Sequence, residues 1–313
     1  MWLFDPAKFS ICLGALGFFS GIYHPTGLGL ISKGIKRVSV AMGYNGIFGN
    51  LGLASVPFIT GIGTWLWGPQ SAYFILCAMN FFGLLLLYIY PLDVAQPSKN
   101  DRATEGNGAI GAFAILLVAM MVGGIAYRGA TVVTPAYLEL NIQNLVQWFG
   151  SLTNFEFSRN LVATSITSII FLVGMIGQFA GGRWAERFDP RTCYLGFVAF
   201  TIPVAFLMAA TNDFALVTMS LIYFFFLLGL QPAENTLVAK FTPRRFHHSA
   251  FGAKFVLTFG VGSIAIKFVA LIEDKASIEA VFFFLGFVSI LWVAVALILI
   301  IRGPKVKSKQ QLV

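Results

Sequence analysis

Nine apolar runs, each long enough to cross a bilayer, divide this 313-residue sequence, and the basic residues between them fall almost wholly on one side. The runs cover residues 9–32, 38–63, 69–91, 109–138, 161–182, 192–211, 214–239, 250–272 and 278–301. A helix rising about 1.5 Å per residue needs about 20 apolar residues to cross a hydrocarbon core about 30 Å thick. Nothing charged occurs from 38 to 92, which leaves residues 65–69 as the turn between the second and third spans. With 58% hydrophobic and 11% charged residues, a soluble globule of this length would lack the polar surface to cover itself. The expected fold class is all-α, a polytopic helical bundle with the lipid bilayer as its main partner.

A net charge of +8 invites a nucleic-acid reading, but the charges sit in short loops beside spans, where they orient the chain in a membrane. If the loops alternate sides, one side holds Lys33, Lys36, Arg37, Lys99, Arg102, Arg183, Arg187, Arg191, Lys240, Arg244, Arg245, Lys254, Arg302, Lys305, Lys307 and Lys309. The other side holds Lys8, Arg159 and Lys275, while Arg128 and Lys267 lie inside spans. The positive-inside rule makes the first side cytoplasmic, with the carboxyl end inside and Met1 extracytoplasmic in a plasma membrane. No basic segment precedes the first run and no small-residue cleavage site follows it, so the odd span number suggests a missing upstream segment. Cys12, Cys77 and Cys193 lie in or beside different spans without metal or redox spacing and read as packing residues.

The stretch PLDVAQPSKNDRATEGNG, residues 91–108, is rich in turn formers and reads as a linker. It divides the chain into residues 1–91 with three spans, a cytoplasmic linker at 92–108, and residues 109–313 with six. HPTGLGLISK at 24–33 matches QPAENTLVAK at 231–240, each followed by a basic turn and a Gly-rich span. Parallel repeats of this kind are one known transporter architecture, with the substrate near mid-bilayer between the halves. Residues 139–160 are too polar to span, but Leu145, Val146, Trp148, Phe149, Leu152, Phe155 and Phe157 give them an apolar side. They lie in the membrane interface or form an ordinary ordered loop.

GGRWAERFDPR, residues 181–191, resembles the cytoplasmic loop signature of the major facilitator superfamily, in Gly182, Glu186, Arg187 and Arg191. Asp189 stands where that family usually has Gly, and Pro190 where it often has a basic residue. GYNGIFGNLGLASVPFITG, residues 43–61, is similar to the family's Gly-rich fifth helix, with Asn50 in place of the proline typical of antiporters. Together with YHPTG at 23–27 and LQPAENTLVAKFTP at 230–243, the pattern looks closest to the fosmidomycin-resistance-like branch. The resemblance runs from residue 9 to 301 and implies a major-facilitator-like bundle corresponding to helices four through twelve of twelve. It also implies that the loop between helices eight and nine is a salt-bridged latch whose making and breaking accompanies alternating access; the bare alternative is a charged turn.

In that family helices one, four, seven and ten line a central cavity, which implies that the spans carrying His24, Arg128 and Glu234 face it. An ionisable group at the centre of a span costs about 2.5–3.5 kcal/mol on insertion scales, so each needs a partner or a purpose. Glu234 lies at a level similar to Lys254, which leaves two readings: a pair bracing two helices, or a carboxylate that carries a proton or touches substrate. Arg128 has no acidic residue of the visible spans in reach. It attracts an anionic group of the substrate through its planar fork, or it meets backbone carbonyls, snorkels, or finds a carboxylate on absent helices. His24, before Pro25, could carry a coupling proton or serve as a hydrogen-bonded packing residue. Tyr23, Gln231 and Asn235 complete the candidate substrate-binding set. Lys267 snorkels, and His247 with His248 reads as a solvated basic turn without metal spacing.

These features point to secondary active transport of a small anionic or amphipathic solute, with antibiotic efflux coupled to protons as the leading form. A non-transporting remnant or assembly partner is the alternative. No phosphate-binding loop, cofactor motif, metal set or nucleophile with its base stands out, so an enzyme is not expected.

Overall fold

The computed structural model describes residues 5–68, 70–90, 109–153 and 158–306, and every regular element among them is helical. In chain order these are α1 (Pro6–Gly34), α2 (Val38–Trp67), α3 (Gln70–Ile89), α4 (Ile110–Asn141), α5 (Gln143–Thr153) and α6 (Arg159–Arg187). They continue with α7 (Pro190–Ala209), α8 (Asp213–Gly229), α9 (Gln231–Phe241), a 3-10 turn (Arg244–Phe246), α10 (His247–Lys275) and α11 (Ile278–Arg302). The linker at 91–108, with Phe155 and Phe157, falls outside the described residues.

Local chemistry explains several boundaries. Asp5 caps α1 by accepting from Ala7 N at 3.0 Å ahead of Pro6 in the first turn, and Asp189 with Pro190 starts α7 in the same way. The expected turn near residues 65–69 falls at Gly68, whose φ of 85° favours glycine. The run at 214–239 is two helices rather than one, with a turn at Leu230, because Pro232 has no N–H to bond back to Leu228.

Eight helical stretches are long and apolar enough to cross a membrane, with α8 and α9 together forming one. The ninth expected span, α1, is a 29-residue helix interrupted by the polar stretch Tyr23, His24, Pro25 and Thr26 and is not among the eight. The segment after α4 forms the amphipathic α5. Asn144 Nδ2 donates to Asp213 Oδ2 at 2.8 Å and Leu145 N to Asp213 Oδ1 at 3.1 Å, holding α5 against the start of α8. Leu145 is buried there, and Trp148 and Leu152 are exposed.

Helices approach closely where side chains are absent, as expected when lipid rather than water is the competing solvent. Any side chain at Gly177 or Gly181 of α6 would strike the carbonyl of Phe225 or Gly229 in α8. Gly182 crosses Gly43 of α2 so closely that a Cβ on it would stand 3.1 Å from the Gly43 Cα. In the bundle α2 lies along α6 and α9, α1 lies along α10, and α3 touches α2 and, through the Tyr73 ring, Phe9 of α1. No residue of α3 is buried.

Candidate functional site

Where α1, α2, α4, α6, α8, α9, α10 and α11 converge, they line a cavity of about 350 Å³. Its wall carries a buried ion pair: Lys254 Nζ stands 2.6 Å from Glu234 Oε1 and donates to Asn235 Oδ1 as well. Tyr194, fully buried on α7, accepts from Trp292 Nε1 at 2.6 Å behind this wall. The carboxylate is thus paired with an ammonium from α10, as a charge removed from water requires. Gln178 Nε2 donates to Gln231 Oε1 at 3.0 Å. The His24 ring stacks on Phe255 with centroids 4.2 Å apart.

The cavity is closed toward one end of the bundle, the end where the basic turns gather. Thr236 Oγ1 donates to Ser39 Oγ at 3.0 Å, joining α9 to α2. Arg244 Nη2 donates to Lys33 O at 2.6 Å, and Arg37 Nε lies 3.4 Å from Glu186 Oε1. His247 Nδ1 meets Ser32 Oγ at 2.8 Å, and His248 Nδ1 lies 3.2 Å from Pro25 O. The two histidines are therefore not a solvated turn. His247 is 3% exposed, and any side chain at Gly29 would strike the His248 ring. Together they join α10 to α1.

A bundle of apolar helices around a central, partly charged cavity is shared by several kinds of membrane protein. The family profile described as Major Facilitator Superfamily matches residues 2–265 and, in a second overlapping match, 142–312. The chain belongs to the major facilitator superfamily. The uncharacterized MFS-type transporter YfnC of Bacillus subtilis (strain 168) is 22% identical over 298 residues, 92% of this chain and 70% of its own length. The fucose:proton symporter FucP of E. coli superposes with a TM-score of 0.62 at 11% identity, covering 88% of this chain and 73% of its own. A FucP structure in the outward conformation gives 0.59 at 12% identity, covering 88% and 72%. At these identities the solved structures establish the fold, and membership of this superfamily makes the chain a membrane transporter, not an enzyme.

Within this major facilitator bundle the candidate residues divide into groups. His24, Gln231, Glu234 and Asn235 line the cavity, so both members of the repeated pair His24 and Gln231 face one space. Tyr23 is 57% exposed and reaches the wall only through its hydroxyl, which accepts from Asn45 Nδ2 at 2.9 Å. Arg128 is exposed and is not part of the wall; it stands one helical turn beyond Gly124 and next to Tyr127, which are. Of the loop residues, Gly182 forms the α2 crossing, Glu186 meets Arg37, and Arg187 is exposed. Arg191 is buried: its guanidinium pairs with Asp189 at 2.6 Å and donates to Gly303 O at 2.7 Å, tying the turn to the end of α11.

Sequence reasoning missed Asn50, Gln178, Thr258 and Trp292, all in the cavity wall. A signal was present for the first two, since an amide among glycines in an apolar span marks a helix contact or a cavity. Among the described residues no group of three or more His, Cys, Asp or Glu side chains could hold a metal ion.

Proposed function

We propose that this chain moves a small solute by alternating access through the central cavity, with Glu234 as the proton-carrying group. The observation that carries the reading is the Glu234–Lys254 pair in the cavity wall. Protonating Glu234 removes the charge that holds Lys254, so solute binding and proton transfer act on the same wall. The fucose:proton symporter among the structural neighbours supports proton coupling. The contacts from Ser39, Ser32, Lys33 and Arg37 to α6, α9, α10 and the 3-10 turn support a latch at the basic end, with Gly182 and Glu186 in it.

On this reading residues 1–91 correspond to helices four to six of twelve, 92–108 to the linker and 109–313 to the second half. Two overlapping profile matches suit such a duplicated fold. The basic end is cytoplasmic by the positive-inside rule, which places the carboxyl end inside and Met1 outside. Export, and a fosmidomycin-like solute, rest on the motifs around Gly43, Pro25 and Pro232. Arg128, at the outer rim, would meet an anionic group as it leaves the cavity.

Two measurements test this. An efflux-deficient bacterial host expressing the chain should tolerate more fosmidomycin, and unchanged susceptibility would remove export of that compound. In liposomes holding a pH dye, solute movement should carry protons in the wild type and not in the charge-balanced Glu234→Gln/Lys254→Met variant. Equal proton flux in both would remove Glu234 as the carrier.

A second reading, a membrane assembly partner that does not itself transport, is favoured by α3, which buries nothing, and by the exposed outer face of α1. Solute movement in liposomes containing this chain alone decides between the two.

A further inference from the structure

α5 follows α4 and precedes α6, both of them long and apolar enough to cross a membrane, so it lies where those helices leave the bilayer. That end of the bundle is opposite the basic turns, because α6 starts here and finishes beside Glu186 and Arg37. The eleven residues of α5 carry no charge. At about 3.6 residues per turn, Leu145, Val146, Trp148, Phe149 and Leu152 fall on one apolar face, with Gln143, Asn144, Gln147 and Ser151 on the other. Protein covers only part of the apolar face. Leu145 is 3% exposed against the bundle, whereas Trp148 is 46% and Leu152 is 61% exposed.

Polar bonds fix α5 at this level. Asp213, the first residue of α8, accepts from both Asn144 Nδ2 and Leu145 N, and it does so with a φ of 52°, a conformation that residues other than glycine visit rarely. At the base of the segment Asn160 Nδ2 donates to Glu139 Oε2 at 2.8 Å, tying the end of α4 to the start of α6. Trp148 rests edge-on against Phe214, with ring centroids 5.3 Å apart. Phe214 lies in the first turn of α8 and is 53% exposed. The uncovered side of α5 therefore runs without a break into the outward face of a membrane-crossing helix. What covers the one covers the other.

We infer that α5 is an anchor seated in the interface of uncharged lipids, with Trp148 and Leu152 among the upper acyl chains and Gln147 and Ser151 among the headgroups. An indole is suited to that level, since its ring is apolar and its N–H needs an acceptor. With no charged side chain on α5, anionic headgroups have nothing to pair with, and amides and a hydroxyl meet lipid carbonyls and water equally well. The anchor also acts at a distance. Asp213 fastens it to the start of α8, and α8 carries Leu227 to the cavity wall, so the seat of α5 sets the depth of a cavity-lining span.

The test is nitroxide labelling of the full chain in phosphatidylcholine vesicles, with Cys12, Cys77 and Cys193 replaced by alanine. Labels at Trp148→Cys and Leu152→Cys, both exposed positions, should meet oxygen dissolved in lipid and be screened from an aqueous nickel chelate, at a depth of about 5–10 Å. Labels at Gln147→Cys and Ser151→Cys should show the opposite preference. Adding phosphatidylglycerol should leave the depth at Leu152→Cys unchanged. Asp213→Ala, which removes both acceptors, should narrow the spectrum of that label as α5 comes loose, and Asp213→Asn, which keeps one acceptor, should narrow it less. Equal access of the nickel chelate to positions 151 and 152 would mean that α5 lies in water. Exclusion of both reagents from position 152 would mean that a protein surface, such as a second copy, covers it. Either result, or a depth reached only with the anionic lipid, overturns the inference, and an unaltered spectrum in Asp213→Ala overturns the coupling to α8.

Discussion

α3 and α7 are both 20-residue helices, and α3 is the more apolar, yet α7 buries Tyr194, Phe197, Val198, Thr201 and Val204 among others while α3 buries nothing. Apolarity decides that a segment leaves water; it does not decide what the segment lies against. What α7 has and α3 lacks is a partner shaped to receive it. Trp292 of α11 reaches the Tyr194 hydroxyl, and a Cβ on Gly286 of α11 would stand 2.8 Å from the Phe206 ring of α7. In α3 the one glycine, Gly83, has nothing within 4 Å of where a Cβ would stand. α1 lies on α10 and α2 on α6 and α9, each with small residues or buried polar bonds at the contact, whereas α3 has no buried residue at its contacts.

The largest test of this contrast is the buried pair in the well-packed region. Glu234→Gln leaves the Lys254 ammonium buried without its counter-charge and should lower stability by about 3–5 kcal/mol, whereas Glu234→Gln/Lys254→Met should recover most of the loss. Thermal unfolding in detergent measures both, and a single variant as stable as the wild type would show that the pair is not held in a dry interior. Next, Gly181→Ala should cost about 1–3 kcal/mol because α6 and α8 must separate. A neutral result would mean that the two helices have room to part.

Smaller effects concern the attachment of α1. Ser32→Ala removes the hydroxyl shared by Gly29 O and His247 Nδ1 and should lower the unfolding free energy by about 1 kcal/mol. Loss of protease resistance in α1 ahead of the rest would locate the effect. Smallest of all, Gly83→Leu in α3 should change stability by no more than about 0.5 kcal/mol. A large loss there would reveal a neighbour on α3 and break the contrast between the two regions.

The sequence made the spans legible because their signal is length and apolarity, and the turn at Gly68 because nothing else between 38 and 92 could bend. The level of Glu234 and Lys254 was also countable along two adjacent spans, and the structure places them in contact. Faces were not legible. A helix apolar all round has no periodicity to orient it, so nothing in the sequence showed that Asn50 and Gln178 belong to the cavity wall and that Arg128 does not. His247 was misjudged for a related reason: its basic neighbours suggested water, but Ser32 of α1 folds over it.

The crossing of Gly43 and Gly182 has a mechanical meaning. Helices that meet through interlocked side chains move by jumps, since a rotamer must leave one slot before it enters another. Here the two backbones face each other with no side chain between them. Such a contact is a plain bearing: it bears load but has no teeth, so one surface can roll over the other through a continuous arc. If α1 to α3 rock against the rest, this is where they can do so with least friction. A methyl group at Gly182 would meet the Ser39 carbonyl at 3.0 Å and act as a brake, slowing the motion before it unfolds the chain.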